Sequence, residues 1–282
     1  MRNILDGQQC AFMATIFDPI SARIAEELGF EAGLIGGSIA SHAVLGAPDV
    51  IVLTLTELAE QVHRCTRVSS VPLMVDGDHG YGNALNVMRT IHELDAAGAA
   101  GLMIEDTLLP RSYGPSEKAQ LLSFDESVGK IKAAVAARGD SDLIVMGRTS
   151  AAAVTSVEDA IARFQAFEAA GVDALFIPGL QSREELDRIS AAVKLPLAAG
   201  GLPEPMCDEP YLASRRVRLW SRGHQTFAVA VQALYDAMKS VRAGVASSKL
   251  PGIASNDLMN RVTRAAEHER WKQDFLGGKQ AG

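Results

Sequence analysis

Several absences narrow the reading of this sequence before any motif is considered. Only three cysteines, Cys10, Cys65 and Cys207, occur in 282 residues. They are too few and too far apart for a disulfide framework or a Cys-x-x-Cys metal knuckle, and an odd count suits a reducing compartment. All three are expected to be buried or idle thiols. No Lys/Arg block occurs, and 27 basic residues against 34 acidic ones leave a net charge of −7. The basic stripe that neutralises a phosphate backbone is therefore missing, and nucleic acid is not an expected partner. No stretch of about 18 uncharged apolar residues is present, and the first thirty residues lack the basic start, apolar run and small-residue cleavage site of a secretory signal. The expected setting is the cytoplasm, away from a membrane. No low-complexity tract or linker interrupts the chain, so a single domain over 1–282 is expected.

What is present has a rhythm. Short apolar runs, each ending in Gly, Asp, Ser or Thr, alternate with stretches of helical period. Strands are expected at Ala11–Phe17, Ala32–Gly37, Leu73–Asp76, Leu102–Glu105, Leu143–Gly147, Ala174–Pro178, Leu195–Ala199 and Val217–Ser221. Amphipathic helices are expected at Pro19–Leu28, Thr56–Val68, Ala84–Ala97, Phe124–Ala137, Val157–Ala170 and Arg183–Val193, with others on either side of His224. Continuously apolar strands are buried on both faces, as in a parallel sheet covered by helices. Eight such units predict a closed (β/α)8 barrel; an open doubly wound sheet is the alternative, because periodicity does not reveal closure. The polar connection Leu108–Ser123 has the length of an active-site flap. The charged tail Asn256–Phe275 predicts one further helix beyond the eighth unit.

In such a barrel the chemistry sits where each strand ends. Those ends are Asp18, Ser38, Asp76 with Asp78, Glu105 with Asp106, and Arg148. The run Val75-Asp76-Gly77-Asp78-His79-Gly80-Tyr81-Gly82 sets two carboxylates beside glycines that let the backbone turn tightly, and Glu105 lies one strand away. All-oxygen ligation suits a hard cation such as Mg2+, which takes one or two carboxylates, waters and an anionic substrate. An ordinary Asx turn and helix cap is the competing explanation for Asp-x-Asp alone. Arg148 would hold a substrate carboxylate bidentately, or form a structural ion pair with Glu105 or Asp76, and the two roles are compatible. Gly36-Gly37-Ser38 resembles a backbone cradle for an oxyanion. Of the six histidines, His224 and His79, with His42 less clearly, fall near the mouth; His63, His92 and His268 lie in helical patterns. His79 is assigned a packing role.

At these residues the sequence resembles the isocitrate lyase and phosphoenolpyruvate mutase superfamily, and within it the Mg-dependent oxaloacetate decarboxylases. The resemblance rests on Phe17-Asp18-Pro19-Ile20-Ser21-Ala22-Arg23, Gly36-Gly37-Ser38, Ala47-Pro48-Asp49, Asp76 to Asn83, Ile104-Glu105-Asp106-Thr107 and Arg148-Thr149. It implies a barrel whose extra C-terminal helix is exchanged between subunits of a homo-oligomer, a dimer of dimers. It further implies Asp76 as the direct Mg2+ ligand, with Mn2+ as a possible substitute, and Asp78, Glu105 and Asp49 acting through water. Gly37 and Ser38 would bind substrate, Arg148 a substrate carboxylate, and His224, in the Gly223-His224 pair, the far end of a 2-oxo diacid. The implied reaction is decarboxylation of oxaloacetate to pyruvate through a metal-stabilised enolate.

Departures from the wider superfamily are equally visible. Leu109–Leu122 contains neither Cys nor His, whereas the cleaving lyases carry a Lys-Lys-Cys-Gly-His-type flap. Ala199-Gly200-Gly201-Leu202-Pro203 replaces an Asn-Met-Thr-Glu segment and lacks the Tyr of a close decarboxylase match. Gly77 and Gly147 stand where Ala is usual. The alternatives are a lyase acting on a substituted malate or methylisocitrate, a phosphonopyruvate or phosphoenolpyruvate hydrolase or mutase, and a silent barrel that only binds a 2-oxo acid.

Overall fold

The computed structural model describes residues 1–111 and 119–277, and the chain divides into two compact units, Met1–His224 and Gln225–Gly282. In the first unit, β1 (Ala11–Thr15), β2 (Ala32–Ile35), β3 (Leu73–Asp76), β4 (Gly101–Glu105), β5 (Ile144–Arg148), β6 (Ala174–Pro178), β7 (Leu197–Gly200) and β8 (Val217–Ser221) pair in sequence order. All neighbours are parallel, and β8 returns to β1 through Ala11↔Leu219 and Phe12↔Trp220. The barrel is closed, which decides against an open sheet.

Alternation along the strands sorts side chains into two cores. Met13, Leu34, Met74, Met103, Met146, Phe176 and Leu219 fill the barrel, interleaved with the small Ala32, Ala174 and Ala198. A short helix, Arg2–Leu5, not signalled by periodicity, adds Leu5 to this cluster. The opposite strand faces meet the helices, among them Leu58 and Val62 of Leu55–Thr66, Ile91 and Leu94 of Ala84–Ala96, and Phe164 and Phe167 of Val157–Ala170. Each fully buried Leu, Ile or Phe stabilises the fold by roughly 1.5–3 kcal/mol relative to exposure. Gly147 has a packing reason: a Cβ there would lie 2.7 Å from the Phe167 ring.

Two strand ends fall short of the sequence expectation because polar capping takes over the backbone. β1 stops at Thr15 rather than Phe17, since the amides of Phe17 and Asp18 both donate to Ser21 Oγ at 3.0 Å and Asp18 caps helix Pro19–Glu27. β2 stops at Ile35 rather than Gly37. Gly36 caps a short helix, Gly37–Ala40, which widens into a π-helical turn over Ser41–Leu45 and ends at Gly46 with φ 62°. Widened turns of this kind are frequent at functional sites.

The second unit contains helix Gln225–Arg242, a 3-10 turn at Ser247–Lys249 and two further helices, Asn256–Val262 and Ala265–Phe275. The single tail helix expected over Asn256–Phe275 is thus two. The helix breaks where the Thr263 hydroxyl bonds back to the Met259 carbonyl at 2.7 Å and Arg264 adopts φ 54°. Among the described residues no helix is long and apolar enough to cross a membrane.

Candidate active site

A cavity of about 570 Å3 opens at the C-terminal ends of the strands, lined by Asp49, Asp76, Asp78, Glu105, Arg148 and His224 together with Gly36, Gly37 and Ser38. Strand register assembles its charged centre. Glu105 and Arg148 are direct partners across β4 and β5, while Asp76 of β3 pairs with Met103 of β4. Arg148 Nη1 donates to Asp76 Oδ2 at 2.6 Å, and its Nε lies 3.3 Å from Glu105 Oε2 as an ion pair without hydrogen-bond alignment. Below, the guanidinium lies over the Phe176 ring, 5.6 Å from its centroid. Thr107 donates to the same oxygen, Glu105 Oε2, at 2.9 Å.

The loop after β3 explains how Asp78 joins the group. Gly77 N bonds Met103 O at 3.0 Å, Asp78 N bonds Asp76 Oδ1 at 3.2 Å, and Asp78 O accepts from Glu105 N at 2.9 Å. Asp78 itself takes φ 45°, a conformation that Asp tolerates better than most residues. Its carboxylate reaches the cavity over Gly37, where a Cβ would come within 2.6 Å of Oδ1. One residue earlier, His224 packs against Gly36, where a Cβ would lie 2.6 Å from Nε2.

Three carboxylates therefore face one guanidinium. Burial pushes the Asp78 carboxyl well above the usual range, with Asp76 and Glu105 adding repulsion that Arg148 only partly offsets. Burial likewise raises Glu105, opposed by Arg148. Burial works against the charge of Arg148, but Asp76 and Glu105 outweigh it and hold the guanidinium protonated. Burial lowers His224, so its ring is neutral near pH 7. Excess negative charge on an all-oxygen donor set fits a hard divalent cation. Among the described residues no three His, Cys, Asp or Glu side chains are placed to ligate one ion directly. A cation here would draw much of its shell from water and substrate, as Mg2+ commonly does.

The same imbalance has a measurable consequence. Below about pH 4 the carboxyls of folded and unfolded chains are both protonated. Above that, the unfolded chain releases protons that Asp78 and Glu105 retain, so these groups lower stability as pH rises towards their raised values. The melting temperature in EDTA is expected to fall with pH through this window, less so in Asp78→Asn. Mg2+ added at pH 7 is expected to restore it, and thermal melts with and without Mg2+ check both statements.

The remaining candidates separate cleanly. Asp18 is a helix cap bonded to Ser21 N at 2.6 Å. Asp106 points away from the cavity to a buried ion pair with Arg163 at 2.9 Å. Arg163 also reaches the Leu122 carbonyl at 3.2 Å, tying both ends of the polar connection to helix Val157–Ala170. Those ends pair through the Thr107↔Leu121 bridge, with Leu108 N to Gln120 O and Leu122 N to Asp106 O each 2.8 Å. Leu109, Arg111 and Ala119 line the cavity, and residues 112–118 of the expected flap lie outside the described residues. His79 lies outside the cavity lining, beside the Tyr81 ring, and burial with the nearby Lys130 charge lowers it to about 4. Burial pushes the Cys10 and Cys65 thiols up to about 12, so both are idle thiols at neutral pH. Thr107 and Phe176 escaped the sequence reading, although each is legible afterwards: Thr107 follows Glu105 by two, and Phe176 faces Arg148 across β5 and β6.

The model of the phosphoenolpyruvate phosphomutase family matches residues 1–242. The chain belongs to that family. Among its relatives, an oxaloacetate decarboxylase of Paraburkholderia xenovorans strain LB400 is 66% identical over 278 residues, covering 99% of this chain and 93% of the relative. The solved oxaloacetate acetylhydrolase in complex with the inhibitor 3,3-difluorooxalacetate superposes with a TM-score of 0.87 at 26% identity, covering 99% of this chain and 96% of that one. A phosphonopyruvate hydrolase solved with oxalate and Mg++ gives a TM-score of 0.85 at 27% identity, covering 98% and 97%.

Proposed function

We propose that this protein decarboxylates oxaloacetate to pyruvate and CO2, with Mg2+ as cofactor and Mn2+ as a substitute. The observation that carries this reading is the convergence of Asp76, Asp78, Glu105 and Arg148 in one cavity with His224, in a chain 66% identical to an oxaloacetate decarboxylase. Asp76 would hold the cation directly, and Asp78, Glu105 and the rim residue Asp49 would hold its waters. When bound, the cation supplies Lewis-acid charge to the oxygens of a 2-oxo acid.

The chain's own groups position the rest. Arg148 has Nη1 and Nε committed to carboxylates, so Nη2 is the edge available to the C1 carboxylate of substrate. Gly37 and Ser38 would bind the same end through backbone N–H and the Ser38 hydroxyl. His224, packed against Gly36, is the group that the C4 carboxylate would meet. As the C3–C4 bond breaks, its electron pair moves toward C2 and CO2 leaves; a proton then adds at C3. The absence of Cys and His from Leu109–Leu122 fits this reaction, which needs no flap acid or base.

The C-terminal extension Asn256–Phe275 would be exchanged between subunits of a tetramer in the cytoplasm. Leu234, Tyr235, Met238 and Val241 of helix Gln225–Arg242 form an apolar stripe exposed in the single chain, in keeping with a partner. Light scattering tests the assembly. The function is tested by incubating purified protein with oxaloacetate and Mg2+, following pyruvate by a coupled assay, and subtracting the metal-only background. Turnover well above that background is expected. None above it, with phosphate released from phosphonopyruvate or pyruvate from a substituted malate, would transfer the site to a hydrolase or lyase.

A further inference from the structure

One polar side chain behind the cavity wall plays no part in the reaction as described. Thr15 ends β1, and its Oγ1 lies 3.1 Å from His224 Nδ1 and 3.3 Å from the carbonyl oxygen of Gly223. A carbonyl only accepts, whereas a threonine hydroxyl has one proton to donate and lone pairs with which to accept. Both contacts are hydrogen bonds together in a single arrangement, in which Nδ1–H donates to Oγ1 and Oγ1–H donates to Gly223 O. The opposite tautomer would direct the hydroxyl proton to Nδ1 and leave two oxygens facing each other without a proton between them. The far edge of the ring is clamped by Gly36, which leaves no space for a side chain beside Nε2.

We propose that Thr15 is a positioning residue that holds His224 as its Nδ1–H tautomer, so that the ring offers an unprotonated Nε2 at the cavity wall. This deepens the decarboxylase reading and rests on it for its kinetic consequence. A lone pair repels an ionised carboxylate, so a diacid meets His224 through a proton that solvent supplies to Nε2. Among the charged groups that face the ring, Asp76 favours that proton and His42 opposes it.

The test is 15N NMR of the Mg2+-loaded full chain labelled at histidine, with His224→Gln assigning the signal. The expected wild-type spectrum has Nδ1 in the protonated range and Nε2 in the unprotonated range. Thr15→Val should move the population toward the other tautomer, and Thr15→Ser should preserve it. With oxaloacetate, KM should fall by about tenfold in Thr15→Val, the scale of one hydrogen bond, because Nε2–H then donates to the carboxylate without a proton taken from solvent, and kcat should change less. Thr15→Ser should stay within about twofold on the same scale. A wild-type Nε2 in the protonated range would overturn the proposal, as would a Thr15→Val protein with a lower melting temperature and an unmoved tautomer signal. Should the wild type not decarboxylate oxaloacetate, the kinetic arm falls with the proposed function while the NMR result still decides the tautomer.

Discussion

Asp76→Asn is expected to abolish Mg2+-dependent turnover while leaving the barrel folded. Asn keeps the shape of the side chain and can still accept a hydrogen bond from Arg148 Nη1, so the contact seen at 2.6 Å is weakened rather than lost. What disappears is the negative charge that would hold the cation. Loss of an outer-shell partner already costs roughly 10–100-fold, and a direct ligand is expected to cost more. The variant should also lack the rise in melting temperature that Mg2+ is expected to give the wild type at pH 7, since linkage between binding and folding needs a site to bind. Steady-state kinetics against Mg2+ concentration, with circular dichroism as the control for fold, check this. Unchanged activity at saturating Mg2+ would remove Asp76 from the metal site.

Arg148→Met is expected to damage stability through the lost charge and activity through the lost guanidinium geometry. The guanidinium is the cation that Asp76 and Glu105 contact directly. Removing one partner from a buried ion pair costs about 3–5 kcal/mol, because the other charge stays buried without compensation. Against a typical domain stability of about 5–15 kcal/mol, the metal-free variant should unfold at markedly lower denaturant. Mg2+ should recover more stability in this variant than in the wild type, because it supplies the positive charge that was removed. Activity should not return with it, since the Nη2 edge proposed to orient a substrate carboxylate is gone. Arg148→Lys should regain part of the stability and little of the activity, as Lys keeps the charge without the planar geometry. Urea melts in EDTA and in Mg2+, beside turnover, separate these effects; equal stability of variant and wild type in EDTA would contradict the account.

The barrel and its charged centre were largely legible in the sequence because each has a linear signature. Continuously apolar runs ending in polar residues located the strands, and Asp76, Asp78, Glu105 and Arg148 stood at consecutive ends. Closure was not legible, since it depends on the pairing of β8 with β1. Asp106 shows a second limit: it is adjacent to Glu105 in a strand end, and alternation alone sends it outward to Arg163. Thr15 shows a third. Its role depends on Gly223 and His224, more than two hundred residues along the chain, and a threonine at a strand end carries no sign of such a partner. The π-helical turn Ser41–Leu45 and the break at Thr263–Arg264 leave no periodic trace that would separate them from ordinary helix.

Gly36 and Gly37 are defined by the atoms they lack. A methyl group at the first would occupy the place of the His224 ring edge, and at the second that of the Asp78 carboxylate. A barrel could keep every charged residue of this centre and still present a different surface to its ligand, merely by carrying alanine at either position. For comparisons between related chains, this makes the glycine pair a stricter criterion of shared geometry than the carboxylates. For redesign it marks a boundary: substrate range can be altered at the cavity walls elsewhere, whereas this turn admits no enlargement without relocating a functional group on another strand.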